Sequence, residues 1–344
     1  MTNSRRARNR RRILGALVAV GVGIALTGCG ASGGSGFADG YSVTAAVNAV
    51  AVPAELDEFY VLSTANLTGL QEALEMEDDA EWLRNVMIGR DEDDNPIALS
   101  LNVPSQWTYF ENAAFPWELT DVTQFADFAA PPHAFTLYVG NDEVAIPDDF
   151  VAWESDIKTD LEGEDFAPDL ASVGNVIDPV GRPTRIAEKN GTIGLGPSTE
   201  LVADWLAGKN AFGTHPGITD VAKALDKAQA LSAIITPAAP DVMGDAKIDE
   251  PFDTVGLGWA MRDGDPRWIV VYQFASASDA GDAQDDLVSA WEEEALNDKA
   301  PLFVGSDRSD ATITITLEPR EGQSGTLLYR YLLDPTNGLM VSVK

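Results

Sequence analysis

Few residues of this chain combine the types and spacing that catalysis requires. Its 344 residues include two histidines, His133 and His215, and a single cysteine, Cys29. Each histidine adjoins a proline, in Pro-Pro-His and Thr-His-Pro, so we predict turn positions for both. Two separated histidines without a cysteine partner do not make up the ligand set of a zinc site. We therefore expect no metal and no other cofactor.

Motifs for a nucleophilic serine are incomplete. The run 196–200, Gly-Pro-Ser-Thr-Glu, lacks the closing glycine of a nucleophile elbow, and Ser198 fits better as a helix N-cap. Ser155 and Lys158 match Ser-x-x-Lys, but the companion Lys-Thr-Gly is missing. Paired carboxylates for glycoside cleavage stay an alternative, because 55 acidic residues offer many pairs whose separation the sequence does not show. We predict binding or scaffolding rather than catalysis.

An acidic segment resembles a calcium loop in part. Asp91, Asp93 and Asn95 occupy its first, third and fifth positions, but Pro96 stands where the loop needs glycine, and Asn102 where it needs glutamate. We predict an exposed acidic turn followed by a strand over 97–103.

The most unusual composition lies between Trp107 and Tyr138, where nine of the 28 aromatic residues fall within 32 positions. Aromatic side chains bury the most area per residue, so the core of a domain is the favoured interpretation. The alternative is a cleft for a sugar or lipid-like ligand, with Trp107, Tyr109 and Trp117 as candidate binding residues. Trp117 follows a proline in an irregular segment, so we expect it to be partly exposed. Phe135 and Tyr138 lie in a strand-like run and are predicted core residues.

Three basic residues, Arg182, Arg185 and Lys189, form a small basic spot on an otherwise acidic chain. They are candidates for contact with a carboxylate-bearing ligand. Pairing with local acidic residues is the commoner role of such side chains.

The N-terminus has the features of an export signal. Six arginines between Arg5 and Arg12 precede an uninterrupted apolar run from Ile13 to Leu26. Spanning a bilayer takes about 20 apolar residues, so this shorter run is typical of a signal peptide. An uncleaved signal anchor is the alternative, because no charge occurs from Ile13 to Ala38. Residues 10–14, Arg-Arg-Arg-Ile-Leu, also match part of a twin-arginine signal.

Leu26-Thr27-Gly28-Cys29 resembles the lipobox of bacterial lipoproteins, in which a small residue precedes an invariant cysteine. The resemblance implies that Cys29 receives a diacylglyceryl group and becomes the first residue after cleavage. Residues 1–28 would then be the signal peptide, 29–40 a Gly/Ser tether, and the remainder an ectodomain anchored by lipid to the extracytoplasmic face of the cell membrane.

Charge restricts the partners. Without the six signal arginines, 17 basic residues face 55 acidic ones, a formal charge of −38. Nucleic-acid binding is excluded in practice, because that affinity comes mainly from lysine and arginine neutralising phosphates. With 45% hydrophobic residues, the chain is globular rather than disordered.

Periodicity predicts an α+β fold of two domains, with mostly antiparallel sheets and helices packed on one face. The larger domain spans 41–236, a linker 237–251, and the smaller domain 252–344. Tyr41 to Val52 alternates loosely, and strand-like runs in the smaller domain include Thr326 to Leu333. Units of strand, cap and helix recur around 59–74, 192–206 and 268–296, and the sequence does not decide whether they are true repeats.

We therefore expect a membrane-tethered lipoprotein that binds or scaffolds. Its partner would be another envelope protein or a carbohydrate or lipid-like ligand. A carboxylate-based envelope hydrolase is the first alternative. A solute-binding lipoprotein of a transporter is the second, although its alternating strand and helix pattern is not found.

Overall fold

The computed structural model describes residues 36–344, apart from 57–58, 77–79, 92–94, 100, 105–116, 173–176, 179, 241–245, 335, 337 and 344. Residues 35–344 form one compact unit. The predicted signal peptide, Cys29, Trp107 and Tyr109 lie outside the described residues. Within the described part, no helix is long and apolar enough to cross a membrane.

Helices and strands alternate irregularly along the described chain. The helices are α1 Val43–Ala49, α2 Leu67–Ala73, α3 Ala80–Ile88, α4 Thr199–Ala207, α5 Ile218–Lys227, α6 Ala277–Glu294 and α7 Gly325–Leu333. The strands are β1 Val61–Asn66, β2 Val122–Ala130, β3 His133–Gly140, β4 Val151–Glu154, β5 Ile157–Thr159, β6 Arg185–Lys189, β7 Thr192–Gly196, β8 Ser232–Pro237, β9 Ala239–Pro240, β10 Phe252–Arg262, β11 Asp265–Phe274, β12 Leu302–Ser309, β13 Thr312–Glu318 and β14 Val341–Ser342.

Twelve of these strands form one sheet. Their order is β12-β13-β11-β10-β8-β1-β2-β3-β7-β6-β5-β4, and every neighbouring pair is antiparallel. The short strands β9 and β14 form a separate parallel pair. The predicted α+β class with mostly antiparallel strands is confirmed.

Helices cover both faces of the sheet, which corrects the expectation of helices on one face. In β10, Leu257 and Trp259 point to one side, here called face A, whereas Gly256 and Gly258 point to the opposite side, face B. A Cβ built on Gly258 would lie 2.8 Å from the Leu225 side chain, so these glycines let α5 approach closely. Helices α2, α3, α6 and α7 pack on face A, and α1, α4 and α5 on face B. Strands that are apolar on both sides require this double cover.

The linker predicted at 237–251 does not separate two compact units. Strand β8 comes from the predicted larger domain and β10 from the smaller one, yet they pair in register from Thr254↔Pro237 to Trp259↔Ser232. Their pairing satisfies backbone groups that two separate sheets would leave on exposed edges. The sheet is therefore continuous across the predicted boundary.

All three predicted units of strand, cap and helix are present, as β1–α2, β7–α4 and β11–α6. Ser198 caps α4 as predicted, its Oγ accepting a hydrogen bond from the N–H of Leu201 (3.3 Å). Ser276 caps α6 in the same way. The cap of α2 is Asn66, the last residue of β1, whose side chain accepts a hydrogen bond from the N–H of Gly69 (3.0 Å).

Three segments differ from their sequence patterns. The loosely alternating run 41–52 contains helix α1, in which Val43, Ala46 and Val47 share the buried side. The strand-like run 326–333 is helix α7, whose Leu328 and Leu332 are buried at helical spacing. The strand predicted over 97–103 is irregular in its described residues. Short apolar runs are compatible with both the helical and the strand periodicity, so tertiary packing decides which structure forms.

The folded body begins earlier than the predicted tether of 29–40 allows. Phe37 is 4% exposed and belongs to the core of face B. The Gln124 side chain donates a hydrogen bond from Nε2 to the carbonyl oxygen of Phe37 (2.5 Å). Residues 36–40 are therefore part of the fold, and only residues before Gly36 remain for a tether.

Candidate functional site

Trp117 is buried, and the expectation that it is partly exposed is wrong. It is 7% exposed, its ring packs edge-on against Tyr138 with centroids 5.5 Å apart, and its Nε1 donates to the carbonyl oxygen of Ala145 (2.7 Å). Trp117 belongs to the core of face A. Phe135 and Tyr138 are fully buried, as predicted. The other candidate binding residues, Trp107 and Tyr109, lie outside the described residues.

The side chains of the predicted basic spot form ion pairs and hydrogen bonds with neighbouring groups of the same chain. Arg182 forms an ion pair with Asp178 (2.8 Å), and Lys189 donates to the carbonyl oxygens of Trp205 and Leu206 at the end of α4. A cation at a helix C-terminus is favourable because the last carbonyl groups lack helical partners.

Arg185 is the central residue of a buried polar network. Its Nε donates to Asp165 (3.0 Å), and its two terminal nitrogens donate to Thr159 (2.6 Å) and to the carbonyl oxygens of Leu161 and Gly163. The Trp153 ring covers the guanidinium at 4.0 Å. Because these donors already have partners within the fold, a structural role is favoured over ligand binding.

The remaining candidates for chemistry stand apart from one another. His133 begins β3 and packs edge-on against Phe166. His215 follows a short turn, and partial burial lowers its pKa. Asp91 accepts hydrogen bonds from Asn95 in an exposed turn. No group of three His, Cys, Asp or Glu residues that could hold a metal ion occurs among the described residues.

The structure instead brings together polar side chains that the sequence analysis did not single out. Three neighbouring strands place Ser63, Asp127 and Thr136 directly opposite one another, in the register pairs Ser63↔Asp127 and Asp127↔Thr136. Side chains alternate between the two faces along each strand, and all three of these side chains point to face A. Because they are register partners, they form a row across the strands. This polar row lies in the middle strands of a sheet whose face is otherwise largely apolar.

Hydrogen bonds fix the two ends of the polar row. Thr136 donates from Oγ1 to Oδ1 of Asp127 (2.6 Å), and Asn102 donates from Nδ2 to Oγ of Ser63 (2.5 Å). Ser63 and Thr136 are buried, whereas Asp127 is half-buried. Among the described residues, Asp127 takes part in no ion pair. The row thus contains a carboxylate that has no cationic partner among the described residues and that is still partly accessible to solvent.

Burial raises the pKa of Asp127 to about 6, and the hydrogen bond from Thr136 offsets part of this rise. An ionised Asp127 is thus the majority species at neutral pH, although its surroundings disfavour the charge. Carboxyl groups shifted in this way are concentrated at functional sites.

Asp127→Asn should stabilise the protein at pH 7.5. The folded pKa of about 6 exceeds the unfolded value of 3.8, so stability falls as pH rises through this interval and stays reduced above it. Asparagine keeps an oxygen for Thr136 and removes the charge. Because Asp127 retains solvent contact, we expect a gain of about 1–2 kcal/mol rather than the full value of the shift.

Urea denaturation at pH 7.5 and at pH 4 measures this effect. The difference between the variant and the original protein should be much smaller at pH 4, where the folded Asp127 is protonated and the unfolded side chain is near its pKa of 3.8. A gain of the same size at both pH values would show that charge is not its cause.

A small cavity adjoins the polar row on face A. Its lining includes the polar and aromatic residues Asn102, Ser232, Trp259, Trp268 and Tyr329. Asn102 also holds Ser63, so the cavity and the row share one residue. The enclosed space suffices for about one water molecule or one ligand hydroxyl group.

Two indole groups of the cavity differ in their bonding. Trp268 donates from Nε1 to the carbonyl oxygen of Ala98 (3.0 Å). Nε1 of Trp259 is buried and has no hydrogen-bond partner among the described residues. A buried donor left unpaired costs about 1–3 kcal/mol. Trp259 thus brings an unpaired buried donor to the lining of the cavity, which Asn102 connects to Ser63 of the polar row.

We expect Trp259→Phe to cost about 1–2 kcal/mol less stability than Trp291→Phe, because only one of the two indoles has a described partner. Both indoles are fully buried on face A, but Nε1 of Trp291 donates to the Tyr272 hydroxyl (3.2 Å). Phenylalanine at 291 leaves that hydroxyl unpaired, whereas at 259 it removes an unpaired donor. Denaturant midpoints of the two variants measure the difference. Equal losses would mean that Trp259 has a hydrogen-bond partner in solution.

The polar row had one signal in the sequence. In β2, Asp127 follows Phe125 at a spacing of two, which places a charge on the buried side of an alternating strand. Its partners come from strands that are distant in sequence, so the row itself requires the sheet register.

The site is thus a half-buried carboxylate on a polar row beside a small, partly aromatic cavity, in an α+β fold covered on both faces. Comparison of the chain with protein-family models, with curated proteins and with solved structures gave no match.

Proposed function

We propose that this chain is a cell-envelope lipoprotein, anchored through Cys29 on the extracytoplasmic face of the membrane. Support comes from the sequence: six arginines, the apolar run from Ile13 to Leu26 and the lipobox-like Leu26-Thr27-Gly28-Cys29. Stable anchoring takes two acyl chains, and a diacylglyceryl group supplies two. The early start of the folded body, at Gly36, leaves a short connection between lipid and fold.

Within this body we propose a binding function centred on Asp127. The observation that carries it is a half-buried carboxylate, shifted in pKa and without a described ion pair, in the middle of the sheet. Burying such a charge is unfavourable, and a ligand with hydrogen-bond donors offsets the cost.

A carbohydrate fits the surroundings of Asp127. Its hydroxyl groups would donate to the carboxylate and to Asn102, and one of them would enter the cavity beside Nε1 of Trp259. Aromatic side chains such as Tyr329 would contact the apolar faces of the sugar ring. Most of the ligand would stay outside the cavity, which holds only one small group.

Cys29→Ser tests the anchor. We expect the variant to accumulate as an unprocessed precursor or to be released, because no thiol remains to carry the lipid. Metabolic labelling with a fatty-acid probe, followed by membrane fractionation, measures both. Incorporation of the probe into the variant would contradict lipidation at Cys29.

Asp127→Asn tests the binding site. Isothermal titration of the mature protein with soluble glycan fragments from the cell envelope should give binding that this variant loses. Asp142→Asn is the matched control, because Asp142 is an exposed carboxylate in a loop. Equal affinities in both variants would overturn the assignment of Asp127.

The pKa of Asp127 also suits a general acid or base, so hydrolysis is the second candidate function. Product release from the same glycan fragments, abolished by Asp127→Asn, would favour it over binding. A solute-binding lipoprotein with two lobes has less support, because one continuous sheet, with β12 at one edge and β4 at the other, runs through the described body.

A further inference from the structure

A partly exposed indole lies at the outer edge of the sheet. Trp153 belongs to β4, the edge strand of the sheet on that side, and is 36% exposed. On its inner side the ring packs against the guanidinium of Arg185, 4.0 Å from the ring centroid, and the Arg185 side chain is 0% exposed. Nε1 of Trp153 donates to Oγ1 of Thr199 (3.2 Å). The indole is therefore fixed from its inner side, and its exposed area lies on the opposite, outer side.

A bulge in β4 brings a carboxylate to the same face of the sheet as this indole. The register between β4 and β5 shifts between Ala152 and Glu154, so that Trp153 is an extra residue in β4. Such bulges redirect side chains. Glu154 pairs with Ile157, a core residue of face B, and Trp153 also points to face B, where it contacts α4. Glu154 is exposed. We call Trp153 and Glu154 together the edge platform.

Charge restricts the ligand that the edge platform can bind. The large acidic excess of the chain, with Glu154 in the platform itself, repels phosphates and anionic lipid headgroups. A cation on the outer face of the indole would lie across one ring from the Arg185 guanidinium, and the two like charges would repel each other. A neutral ring meets neither repulsion. A pyranose ring is neutral, offers C–H groups to the face of an indole and offers hydroxyl donors to a carboxylate.

We propose that Trp153 and Glu154 form a binding site for a neutral pyranose ring, which stacks on the outer face of the indole and donates a hydroxyl hydrogen bond to the carboxylate. The contacts with Arg185 and Thr199 hold the indole in one orientation before the ligand arrives, so binding costs little side-chain ordering. Four strands separate β4 from β2, and Asp127 lies on the opposite face. The edge platform therefore does not rest on the site proposed at Asp127.

Fluorine NMR of the full-length chain, labelled with fluorotryptophan and kept in a sugar-free detergent, tests the site. The chain has eight tryptophans, and Trp153→Phe identifies the Trp153 resonance by its loss. Maltotriose, cellotriose and tri-N-acetylchitotriose serve as neutral probes and are titrated separately. We expect at least one of them to shift the Trp153 resonance in a saturable manner. Asp127→Asn should leave this shift in place, so the two proposed sites fail separately.

Two substitutions separate the effect of the ligand contact from that of the fold beneath it. Trp153→Ala should weaken binding of the active probe at least about tenfold, because aromatic anchors carry much of the binding energy of such sites. Glu154→Gln keeps the indole with its inner contacts and should weaken binding about threefold, so a loosened Arg185 network would not explain both losses. Phe59→Ala is the matched control, because it removes an aromatic ring that is 62% exposed elsewhere on the surface, and it should leave the affinity unchanged.

Three results would overturn the proposal. The first is the absence of a saturable shift of the Trp153 resonance with all three probes. The second is an unchanged affinity in both Trp153→Ala and Glu154→Gln. The third is a shift produced by tetralysine and by none of the sugars, which would assign the edge platform to a cationic partner instead.

Discussion

Arg185→Met should destabilise the protein by about 3–5 kcal/mol, the range for removing one partner of a buried ion pair. The Arg185 side chain is 0% exposed. Methionine has similar length but no donor, so Asp165, Thr159 and the carbonyl oxygens of Leu161 and Gly163 each lose the hydrogen bond that Arg185 donates. Asp165 keeps its bonds from Thr199, but the lost charge-assisted bonds leave the other buried acceptors with fewer donors, which costs stability.

Arg182→Met is the matched control. Arg182 also pairs with an aspartate, Asp178, but both side chains keep contact with solvent. Such a pair contributes up to about 1 kcal/mol. Guanidinium chloride denaturation of both variants measures the two losses. A loss at Arg185 no larger than at Arg182 would mean that water replaces the missing donors.

The Arg185 network also positions neighbouring elements. Asp165 accepts from the Thr199 backbone N–H (2.7 Å) and hydroxyl (2.8 Å), at the first turn of α4. The indole Nε1 of Trp153 on β4 donates to the same hydroxyl (3.2 Å). Strands β4, β5 and β6 and helix α4 are thus joined by one cation, so we expect the loss to extend to this edge of the sheet.

Local patterns predicted the elements better than their arrangement. The unit of β7, Ser198 and α4 follows from an apolar run, a cap and helical spacing within one short segment, 192–207. The turn between β10 and β11 is also local, because Asp-Gly is typical of a two-residue hairpin turn and both Asp263 and Gly264 adopt positive φ there. The continuity of the sheet depends on β8 pairing with β10 beyond a proline-rich segment. Nothing in the sequence distinguishes that connection from a linker.

The candidate site shows the same limit. Ser63 and Asp127 are far apart in the sequence and meet only because β1 and β2 pair in one particular register. A shift of one residue would turn Asp127 to the opposite face. The prediction that Trp117 is partly exposed was wrong for a related reason. A preceding proline indicates an irregular backbone but does not show whether the side chain is buried.

Trp117→Ala and Phe135→Ala should each cost about 3–5 kcal/mol. Phe135 packs against Trp205 on face B, with ring centroids 5.9 Å apart, and Trp117 packs against Tyr138 on face A. Each substitution removes a buried ring, and Trp117→Ala also removes the donor to the carbonyl oxygen of Ala145.

Phe59→Ala provides the control for losing an aromatic ring. Phe59 is 62% exposed, so its replacement should change stability by no more than about 0.5 kcal/mol. Chemical denaturation of the three variants measures this contrast. A small loss for Trp117→Ala alone would return Trp117 to the set of partly exposed ligand candidates.

The double variant that combines Trp117→Ala with Phe135→Ala should show the largest loss of stability. Trp117 and Phe135 lie in the cores of opposite faces, so their losses should be nearly additive. The sum, about 6–10 kcal/mol, falls within the total stability of a typical domain, about 5–15 kcal/mol. Because one sheet carries both cores, neither face can stay folded without the other. In a denaturant titration we therefore expect the double variant to lose the near-ultraviolet circular dichroism of its aromatic side chains in one cooperative transition. Two separate transitions would show that the two faces fold independently.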